Sequence, residues 1–372
     1  MTRCKPEVES GTEAAKHAFM TLDTSSLGEE VPLKNVEKAV RALWADETAG
    51  KSRASLMNFA IYGEDPSALE RNTRLLGDIT REHSCRAILI HNDSNGTTPS
   101  ARSWVTAHCQ LYDGKRSVCC EQLSFVLEGG QADGIRNILF SHVESDLPLV
   151  LWWQGELSNR LDERLYSVLD GLIVDSSQWK DPATSLKRLM KARNSNTSRF
   201  TLGDLSWMRS HVMRLTLASA FQNATLLNTL PQMNSLRVVH APGNHTGALL
   251  LAAWIGTQLQ ARLASDGGKI YFLRPSGSDM EVTLETGSPE GCPLQCLELR
   301  GPESRVHIAR RQGCSFVEAR SERCGVASEN VQPAPRDDDA ELIAEQLSRF
   351  GGSTRYFETL PLFTEMVASF TS

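Results

Sequence analysis

The stretch at 147–153, which reads LPLVLWW, carries an apolar residue at every position. A strand with one face in water alternates apolar and polar residues, so a run without alternation indicates a strand that is buried on both faces. The runs RAILIH at 86–91 and GLIVD at 171–175 have a similar character. Strands covered on both faces are typical of parallel sheets with helices packed on each side, which restricts the chain to α/β architectures.

The segments between these strands show helical periodicity. Apolar residues recur there at i, i+3 and i+4, and the connections to the strands are short. Such alternation predicts an α/β sheet, and Asp113-Gly114 between two long β runs adds an antiparallel hairpin. The predicted helices of this half are 36–44, 66–83, 134–143, 158–169 and 182–192.

The second half begins with a predicted helix that Asp204 caps and that ends near Ala224. A strand at 235–240 and a helix at 246–263, with Thr246 as its N-cap, follow. The segments KIYFLR, MEVTLE, LQCLEL, SRVHIAR and CSFVEA then alternate with period 2, which predicts an antiparallel meander with one face in water. Two helices close the chain.

A length of 372 residues corresponds to two domains at roughly 100–200 residues each. We therefore predict an α/β fold of two domains with mixed sheets flanked by helices, the second domain ending in the antiparallel meander, followed by C-terminal helices. The predicted boundaries are a disordered tail (1–30), an N-terminal α/β domain (31–197), a C-terminal α/β domain with antiparallel strands (198–325), an acidic linker (326–339) and C-terminal helices (340–372).

Composition excludes several classes of protein. The chain has 39 basic and 45 acidic residues, a formal charge of −6, which argues against nucleic acid as a partner. No apolar stretch approaches the ~20 residues that span a bilayer, so no membrane partner is expected. The N-terminal residues lack a secretory apolar segment, and the nine cysteines form an odd set. We therefore expect a cytoplasmic protein with reduced thiols.

Short catalytic motifs are absent from the sequence. No Gly-rich dinucleotide fingerprint follows a predicted strand, and there is no P-loop, HExxH, GxSxG or CxxC. This counts against a dehydrogenase or kinase, leaves a hydrolase or isomerase open, and predicts no cofactor. Zinc could use Cys292, Cys296, His307, Cys314 and Cys324, but their irregular spacing over separate strands favours ordinary thiols, and no metal site is predicted.

Polar residues at two strand ends are candidates for a binding site. Asp175 and Ser176 follow GLIV at the carboxyl end of a buried strand, where α/β sheets bind ligands; the alternative is that they cap the next turn. His83 and Arg86 flank a helix-to-strand turn, where they could bind an anion or cap the last carbonyls of the helix.

The segment DLSWMR at 204–209 supplies further candidates. Asp204 is the predicted N-cap, and Trp207 and Arg209 project from different faces because they are two residues apart. One of these two side chains is therefore expected to face outward. Exposed Trp and Arg are typical anchors of protein interfaces, and packing between the two domains is the alternative.

Thiols and charge runs allow two readings each. Cys85, Cys109 and Cys120 are candidates for a redox thiol, against the alternative of buried, inert cysteines. The run at 180–199 is basic and the run at 329–345 is acidic. Opposite patches suit the steering of a protein partner, but a solvated helix face and a flexible linker explain them as well.

The order of these motifs resembles that of the OpcA family, the assembly or effector proteins of glucose-6-phosphate dehydrogenase in the oxidative pentose phosphate pathway. The resemblance covers roughly residues 34–320. It implies a non-catalytic regulatory subunit whose partner is that dehydrogenase. A sugar-phosphate-binding enzyme or sensor, with a site near Asp175, His83 and Arg86, is the alternative. The matching segments are AVRALW, SLMNFAIY, EHSCRAILI, TAHCQL, CCEQLSF, SDLPLVLWW, GLIVDSS, DLSWMR and LLAAWI.

The resemblance extends to single positions, and at some positions this chain differs from the family pattern. Where the family reads His-Pro-Ser-Arg, this chain has Ser84 and Cys85 in the middle, and Met213 replaces a Trp before Arg214. The match leaves open whether each matching side chain contacts the partner or supports the fold. The matching polar and aromatic positions are His83, Arg86, Cys109, Cys120, Glu121, Trp152, Trp153, Asp175, Ser176, Asp204, Trp207 and Arg209.

Overall fold

Two mixed sheets flanked by helices form the fold, which confirms the predicted α/β class. The structure is a computed structural model that describes residues 23–45, 51–93, 98–112, 116–129, 134–195, 200–275, 277–310, 313, 315–334, 336–349, 351 and 354–370. The predicted turn at Asp113-Gly114, Cys314 and residues 1–22 of the predicted tail lie outside the described residues. Among the described residues, no helix has the length and apolarity that crossing a bilayer requires.

The first part of the chain alternates strands and helices as predicted, except that the helix predicted at 158–169 is confined to Glu163–Tyr166. Its strands are β1 Glu29–Val31, β2 Lys51–Arg53, β3 Met57–Gly63, β4 Cys85–Asp93, β5 Ser100–Tyr112, β6 Arg116–Glu128, β7 Leu149–Trp153, β8 Gly171–Val174 and β9 Thr201–Asp204. Its helices are α1 Val36–Leu43, α2 Ala68–Glu82, α3 Gly134–His142, α4 Glu163–Tyr166 and α5 Pro182–Arg193.

The second part carries the remaining elements. Its helices are α6 Leu205–Arg209, α7 His211–Ala220, α8 Ala224–Leu227, α9 His245–Gln258, α10 Asp339–Ser348 and α11 Thr354–Phe370. Its strands are β10 Ser235–His240, β11 Arg262–Asp266, β12 Lys269–Leu273, β13 Met280–Thr286, β14 Leu294–Arg300, β15 Ser304–Arg310, β16 Phe316–Arg323 and β17 Val326–Pro333.

The first sheet has the order β1-β5-β6-β4-β3-β7-β8-β9, and β2 also pairs with β6. The strands from β6 to β9 are parallel, whereas β5 joins β6 as the predicted antiparallel hairpin. Strand β7 comes from the 147–153 run, and its Trp152 and Trp153 are both fully buried. Trp152 packs with α2, α6 and α10, while Trp153 packs in the core of the opposite face. The apolar run is therefore explained by helices on both faces.

The second sheet has the order β11-β12-β13-β10-β14-β15-β16-β17. All its neighbours are antiparallel except β10 and β13, so β10 divides the predicted meander in two. Helix α9 is buried along most of its length and packs in one continuous core with this sheet and with one face of the first sheet. The other face of the second sheet carries the charged side chains that the period-2 alternation predicts.

Four further local predictions are wrong. The helix predicted to extend from Asp204 to Ala224 breaks into α6 and α7 at Ser210, whose hydroxyl donates to the Trp207 carbonyl at 2.8 Å and competes with helical bonds. Helix α9 has Asn244, not Thr246, in the N-cap position. Residues 326–333 form β17 instead of part of an acidic linker, and β9 belongs to the first sheet although 198–325 was predicted to be a separate domain.

Candidate functional site

The crevice between the carboxyl ends of β3 and β7 is filled by side chains of the chain itself. The strand order reverses at this point, where open α/β sheets bind ligands. Gln154 and Asn72 exchange two amide hydrogen bonds of 2.9 Å across the crevice. A Cβ on Gly63 would lie 2.7 Å from the Gln154 Oε1 atom, so the backbone and this amide are already in close contact. The Gln154 side chain therefore lies directly against the end of β3 at Gly63.

Carboxylates line the same crevice at the start of α2. Asp65 Oδ1 accepts from the Ser67 backbone N–H at 3.0 Å and from its hydroxyl at 2.7 Å. Glu64 accepts from the Tyr62 hydroxyl and forms an ion pair with Arg160 at 2.7 Å. A helix N-terminus at this place holds phosphate in nucleotide-binding sheets, and a carboxylate there repels an anion. The local charge therefore opposes a dinucleotide.

Asp175 and Arg209, two of the predicted site residues, form a buried ion pair beyond the end of β8. Arg209 Nη1 lies 2.9 and 2.8 Å from the two Asp175 oxygens, and its Nη2 lies 3.0 Å from Asp339 of α10. The side chains of Asp175 and Arg209 are 1% and 8% exposed. Asp175 also accepts from the Ser177 N–H, which is the capping role given as the alternative. The cluster ties the C-terminal helices to the first sheet.

Asp204 lies beside this ion pair and is fully buried. One oxygen accepts from the N–H groups of Ser176 and Ser206 at 3.1 and 3.0 Å, which confirms the predicted N-cap of α6. The other accepts from the hydroxyl of Tyr356 at 2.9 Å. Burial, together with the charge of Asp175, raises the pKa of Asp204 to about 6. The structure thus brings Asp175, Ser176, Asp204 and Arg209 into one cluster, whereas from the sequence Asp175 and Ser176 are candidates separate from Asp204 and Arg209.

This raised pKa predicts a pH dependence of stability. Between the unfolded pKa of about 3.9 and the native value of about 6, the native state binds more protons. The contribution of Asp204 to stability is therefore present below pH ~4 and is lost as pH rises through ~6, by up to about 3 kcal/mol. Urea unfolding of the wild type and of Asp204→Asn from pH 4 to 7 measures this contribution. All other groups titrate in both proteins, so the difference in free energy of unfolding between the two isolates Asp204. A pH-independent difference between the two contradicts the assignment.

Trp207 is buried, and the expectation that either Trp207 or Arg209 faces outward is wrong. Trp207 is 5% exposed and packs edge-on against Tyr356. The guanidinium of Arg214 lies 3.4 Å from the centre of the Trp207 ring and donates to the Trp207 carbonyl at 2.9 Å. Burial lowers the pKa of Arg214 to about 9. Trp207 therefore packs inside the chain, between Tyr356 of α11 and Arg214 of α7.

His83 and Arg86 do not share a site. His83 Nε2 lies 3.0 Å from the Ala344 carbonyl of α10, whereas Arg86 points into an ion network at the amino end of the parallel strands. The strand register places Asp175 about 16 Å further along the strand direction than Arg86. The predicted anion site at His83 and Arg86 is therefore wrong, and so is the joint site with Asp175.

Arg86 is instead a structural cation, because its side chain is only 4% exposed. Its Nη1 lies 2.8 Å from Glu144 and its Nη2 lies 2.7 Å from Glu37. Glu121 is fully buried in the same network and accepts from Arg53 of β2. Carboxylates thus surround the guanidinium in place of an anionic ligand. The network fastens α1, β2 and the turn before β7 to the sheet.

Cys109 is bonded to Cys119, so the expectation of reduced thiols is wrong for this pair. The two residues lie directly opposite each other on β5 and β6, with their Cα atoms 4.1 Å apart. Cys85 and Cys120 are free but buried, and burial raises the pKa of both thiols. A raised pKa suppresses the reactive thiolate, so both fit the alternative of inert cysteines.

The disulfide predicts a dependence of stability on reductant. Because it closes a loop of 10 residues in sequence, its loss is expected to cost about 2–3 kcal/mol. Urea unfolding with and without dithiothreitol measures this loss. The Cys109→Ser, Cys119→Ser double variant is the control, since it is expected to unfold at the reduced wild-type midpoint in either buffer. Equal midpoints for the oxidised and reduced wild type would show that the bridge contributes nothing.

The described cysteines and histidine among those considered for zinc do not form a metal site. Cys296 Sγ lies 3.5 Å from His307 Nδ1 on the open face of the second sheet, and His307 also faces Glu298 at 3.2 Å. Cys324 is exposed at the turn between β16 and β17. In the part of the chain that the structure describes, no group of three or more His, Cys, Asp or Glu side chains has the geometry of a metal site.

The acidic run at 329–345 is divided among separate structures. Asp337 forms a 2.7 Å ion pair with Arg310, and Asp338 caps α10 through the Glu341 N–H. Asp339 pairs with Arg209, while Glu329 lies on β17. The run is therefore not a flexible acidic linker. Sequence reasoning missed Asp339 and Tyr356, because these partners lie 130 and 152 residues from Arg209 and Asp204.

Two family models match the chain, and both describe a glucose-6-phosphate dehydrogenase subunit. The model of the N-terminal domain of that subunit matches residues 77–191. The model of its C-terminal domain matches residues 201–360. Together the two matches cover more than half of the chain.

Curated relatives named OpcA are similar to this chain over most of its length. A protein named OxPP cycle protein OpcA in Synechococcus elongatus is 26% identical over 315 residues, which are 78% of this chain and 69% of the relative. Its namesake in Synechocystis is 24% identical over 313 residues, 76% of this chain and 64% of the relative. The chain thus spans about two thirds of the length of these relatives.

A solved structure shares the fold. A 3-ketoreductase from Actinomadura kijaniata, in complex with TDP-benzene and NADP, superimposes with a TM-score of 0.50 at 12% identity. The match covers 84% of this chain and 96% of the reductase. At this identity the likeness concerns the fold alone.

Proposed function

The chain belongs to the OpcA family of glucose-6-phosphate dehydrogenase subunits, and from this membership we propose that it binds a glucose-6-phosphate dehydrogenase and raises its activity without catalysing a reaction itself. The observation that carries the proposal is the match of both family models, one to each half of the chain. In this proposal the chain promotes assembly and activation of the dehydrogenase through direct contacts between the two proteins.

The filled crevice at β3 and β7 supports a non-catalytic role. An oxidoreductase of this fold class needs room for a dinucleotide at the strand ends, and here the Gln154–Asn72 amide pair occupies that position. At the start of α2, where nucleotide-binding sheets bind phosphate, the Ser67 N–H donates to the carboxylate of Asp65. Asp175 and Asp204 are committed to an ion pair and to capping bonds, so neither carboxylate is free to act on a substrate.

Activation by such a subunit is a shift of a conformational or assembly equilibrium. The subunit raises the population of the active dehydrogenase only as far as it binds that form more tightly than the inactive one. A tenfold preference therefore gives at most about a tenfold change in the equilibrium constant. The proposal accordingly requires direct binding, and binding that is stronger to the active assembly.

Binding is tested with the purified chain and the glucose-6-phosphate dehydrogenase of the same organism. Size-exclusion chromatography with light scattering is expected to show a complex whose mass exceeds that of the dehydrogenase alone. In parallel, equilibrium dialysis of the isolated chain against NADP is expected to show no saturable binding. Separate elution of the two proteins at micromolar concentrations contradicts the binding proposal, and tight NADP binding contradicts the non-catalytic one.

A further inference from the structure

The outer edge of the second sheet is a long strand that little of the described chain covers. Strand β17 pairs with β16 alone among the described strands. Its residues are exposed on both faces of the sheet, apart from a half-buried Gln332. Val326 and Val331 are 75% and 57% exposed. Native proteins normally shorten, cover or charge such edges, because an open edge pairs with other strands.

The other outer strands of the two sheets are protected. Strand β1 has three residues, β9 has four mostly buried residues, and β11 has five and packs against α11. Strand β17 has eight residues, of which only Glu329 is charged and only Pro333 lacks a backbone donor. Among the described strands, β17 is therefore the outer edge that is best suited to accept another strand.

The hydrogen-bond pattern shows which backbone groups of β17 are free to pair. The Ala334 N–H donates to the Ser315 carbonyl at 2.7 Å, and alternate residues of the strand face β16 in the same way. Ala327, Glu329 and Val331 therefore direct both backbone groups away from the sheet. These groups are placed to continue the ladder with a further strand.

Charge indicates the chemistry of that further strand. On the open face, Glu329 is the one charged residue of β17, and it lies opposite Arg320 of β16. The Arg320–Glu329 pair is loose, at 3.8 Å between exposed side chains. A second copy of this strand, antiparallel and centred on Glu329, would place two carboxylates opposite each other, which is unfavourable. An incoming strand with Lys or Arg beside Glu329 is favoured instead.

We propose that the free edge of β17 is the surface on which this chain binds its dehydrogenase partner, through an extended, basic segment of the partner that adds to the second sheet. This proposal rests on the proposed function, because it assumes that the binding partner is a glucose-6-phosphate dehydrogenase. Backbone hydrogen bonds supply affinity in this mode of binding, and Glu329 selects the charge of the segment. The exposed Val326 and Val331 flank that position along the strand.

Two substitutions separate the backbone and charge contributions. Val331→Pro removes an N–H that has no backbone partner among the described residues, and it is expected to weaken dehydrogenase binding roughly tenfold, the size of about one net hydrogen bond. Val331→Ala is its control and keeps the N–H. Glu329→Lys is expected to weaken binding by a similar factor at low salt and by less at high salt. Asp266→Lys, the same charge change on the opposite edge strand, is expected to have no effect.

Titration calorimetry of the full chain with the purified dehydrogenase gives the affinities, and thermal unfolding confirms that each variant is folded. If the wild type binds and both Val331→Pro and Glu329→Lys bind as tightly as their controls, the edge is not the docking surface, while the proposed function stands. If the wild type does not bind at all, both proposals fall. If the chain alone is a dimer that Val331→Pro converts to monomers, a second copy occupies the edge and the proposal is overturned.

Discussion

Replacing Arg209 by alanine is expected to lower the free energy of unfolding by about 3–5 kcal/mol, the cost of leaving a buried carboxylate without its partner. Arg209 is the cation for Asp175 and for Asp339, and its side chain is 8% exposed. Its loss therefore leaves the buried Asp175 carboxyl without its ion-pair partner and also removes the ion pair that connects α10 to this cluster. Urea unfolding followed by circular dichroism measures the change.

A second arginine–carboxylate pair provides the control for that experiment. Arg349 pairs with Glu345 one turn away on the same C-terminal segment, but its side chain is 51% exposed. Exposed pairs contribute little, so Arg349→Ala is expected to change stability by less than about 1 kcal/mol. Comparable losses for Arg209→Ala and Arg349→Ala would show that burial of the Asp175 cluster does not determine its stability.

Replacing Trp207 by alanine is expected to cost about 3–5 kcal/mol of stability, the usual penalty for deleting a large aromatic side chain from a core. The ring fills the space between Tyr356 of α11 and the guanidinium of Arg214. Its removal opens a cavity and also ends the cation–π contact, which stabilises a desolvated arginine. The same unfolding assay measures the loss.

This variant also distinguishes the two readings of Trp207. Trp207→Phe keeps most of the volume and the ring face under Arg214, so it is expected to lose less stability than Trp207→Ala. If Trp207 were instead an anchor of the dehydrogenase interface, Trp207→Ala would leave the unfolding midpoint unchanged and weaken binding. That result would contradict its burial at 5% exposure.

The sequence predicts the first sheet well because burial on both faces leaves a strong local signal. The run at 147–153 and the strand GLIV that precedes Asp175 are apolar at successive positions, and both become buried parallel strands. The hairpin of β5 and β6 follows in the same way from two long β runs. In β7 and β8 consecutive residues are buried, so their local sequence shows the burial directly.

Strand β17 shows why local sequence patterns do not predict other elements of the fold. Its sequence VASENVQP has no period-2 alternation of apolar residues, because neither face of the strand is buried. The pattern is therefore that of a polar linker, although backbone pairing with β16 makes it a strand. The position of β10 between β13 and β14 is likewise set by long-range pairing and leaves no local trace.

In the candidate site, too, residues with a local sequence signal are predicted and partners that are distant in sequence are not. The sequence indicates Asp175 because it directly follows a buried strand, and it indicates Asp204 as the N-cap of a helix. Their partners Asp339 and Tyr356 come from the C-terminal helices and meet them only in the folded chain. His83 and Arg86, by contrast, are close in sequence but point to different elements, one to α10 and the other to Glu144.

The central claim is that the chain activates a dehydrogenase by binding it, and the most direct test is the rate of NADPH formation. Glucose-6-phosphate dehydrogenase of the same organism is assayed at fixed enzyme and rising concentrations of this chain, over a range of glucose 6-phosphate. We expect a saturable rise in rate or fall in KM that follows complex formation, and no NADPH from the chain alone. An unchanged rate and KM at micromolar excess of the chain would contradict it.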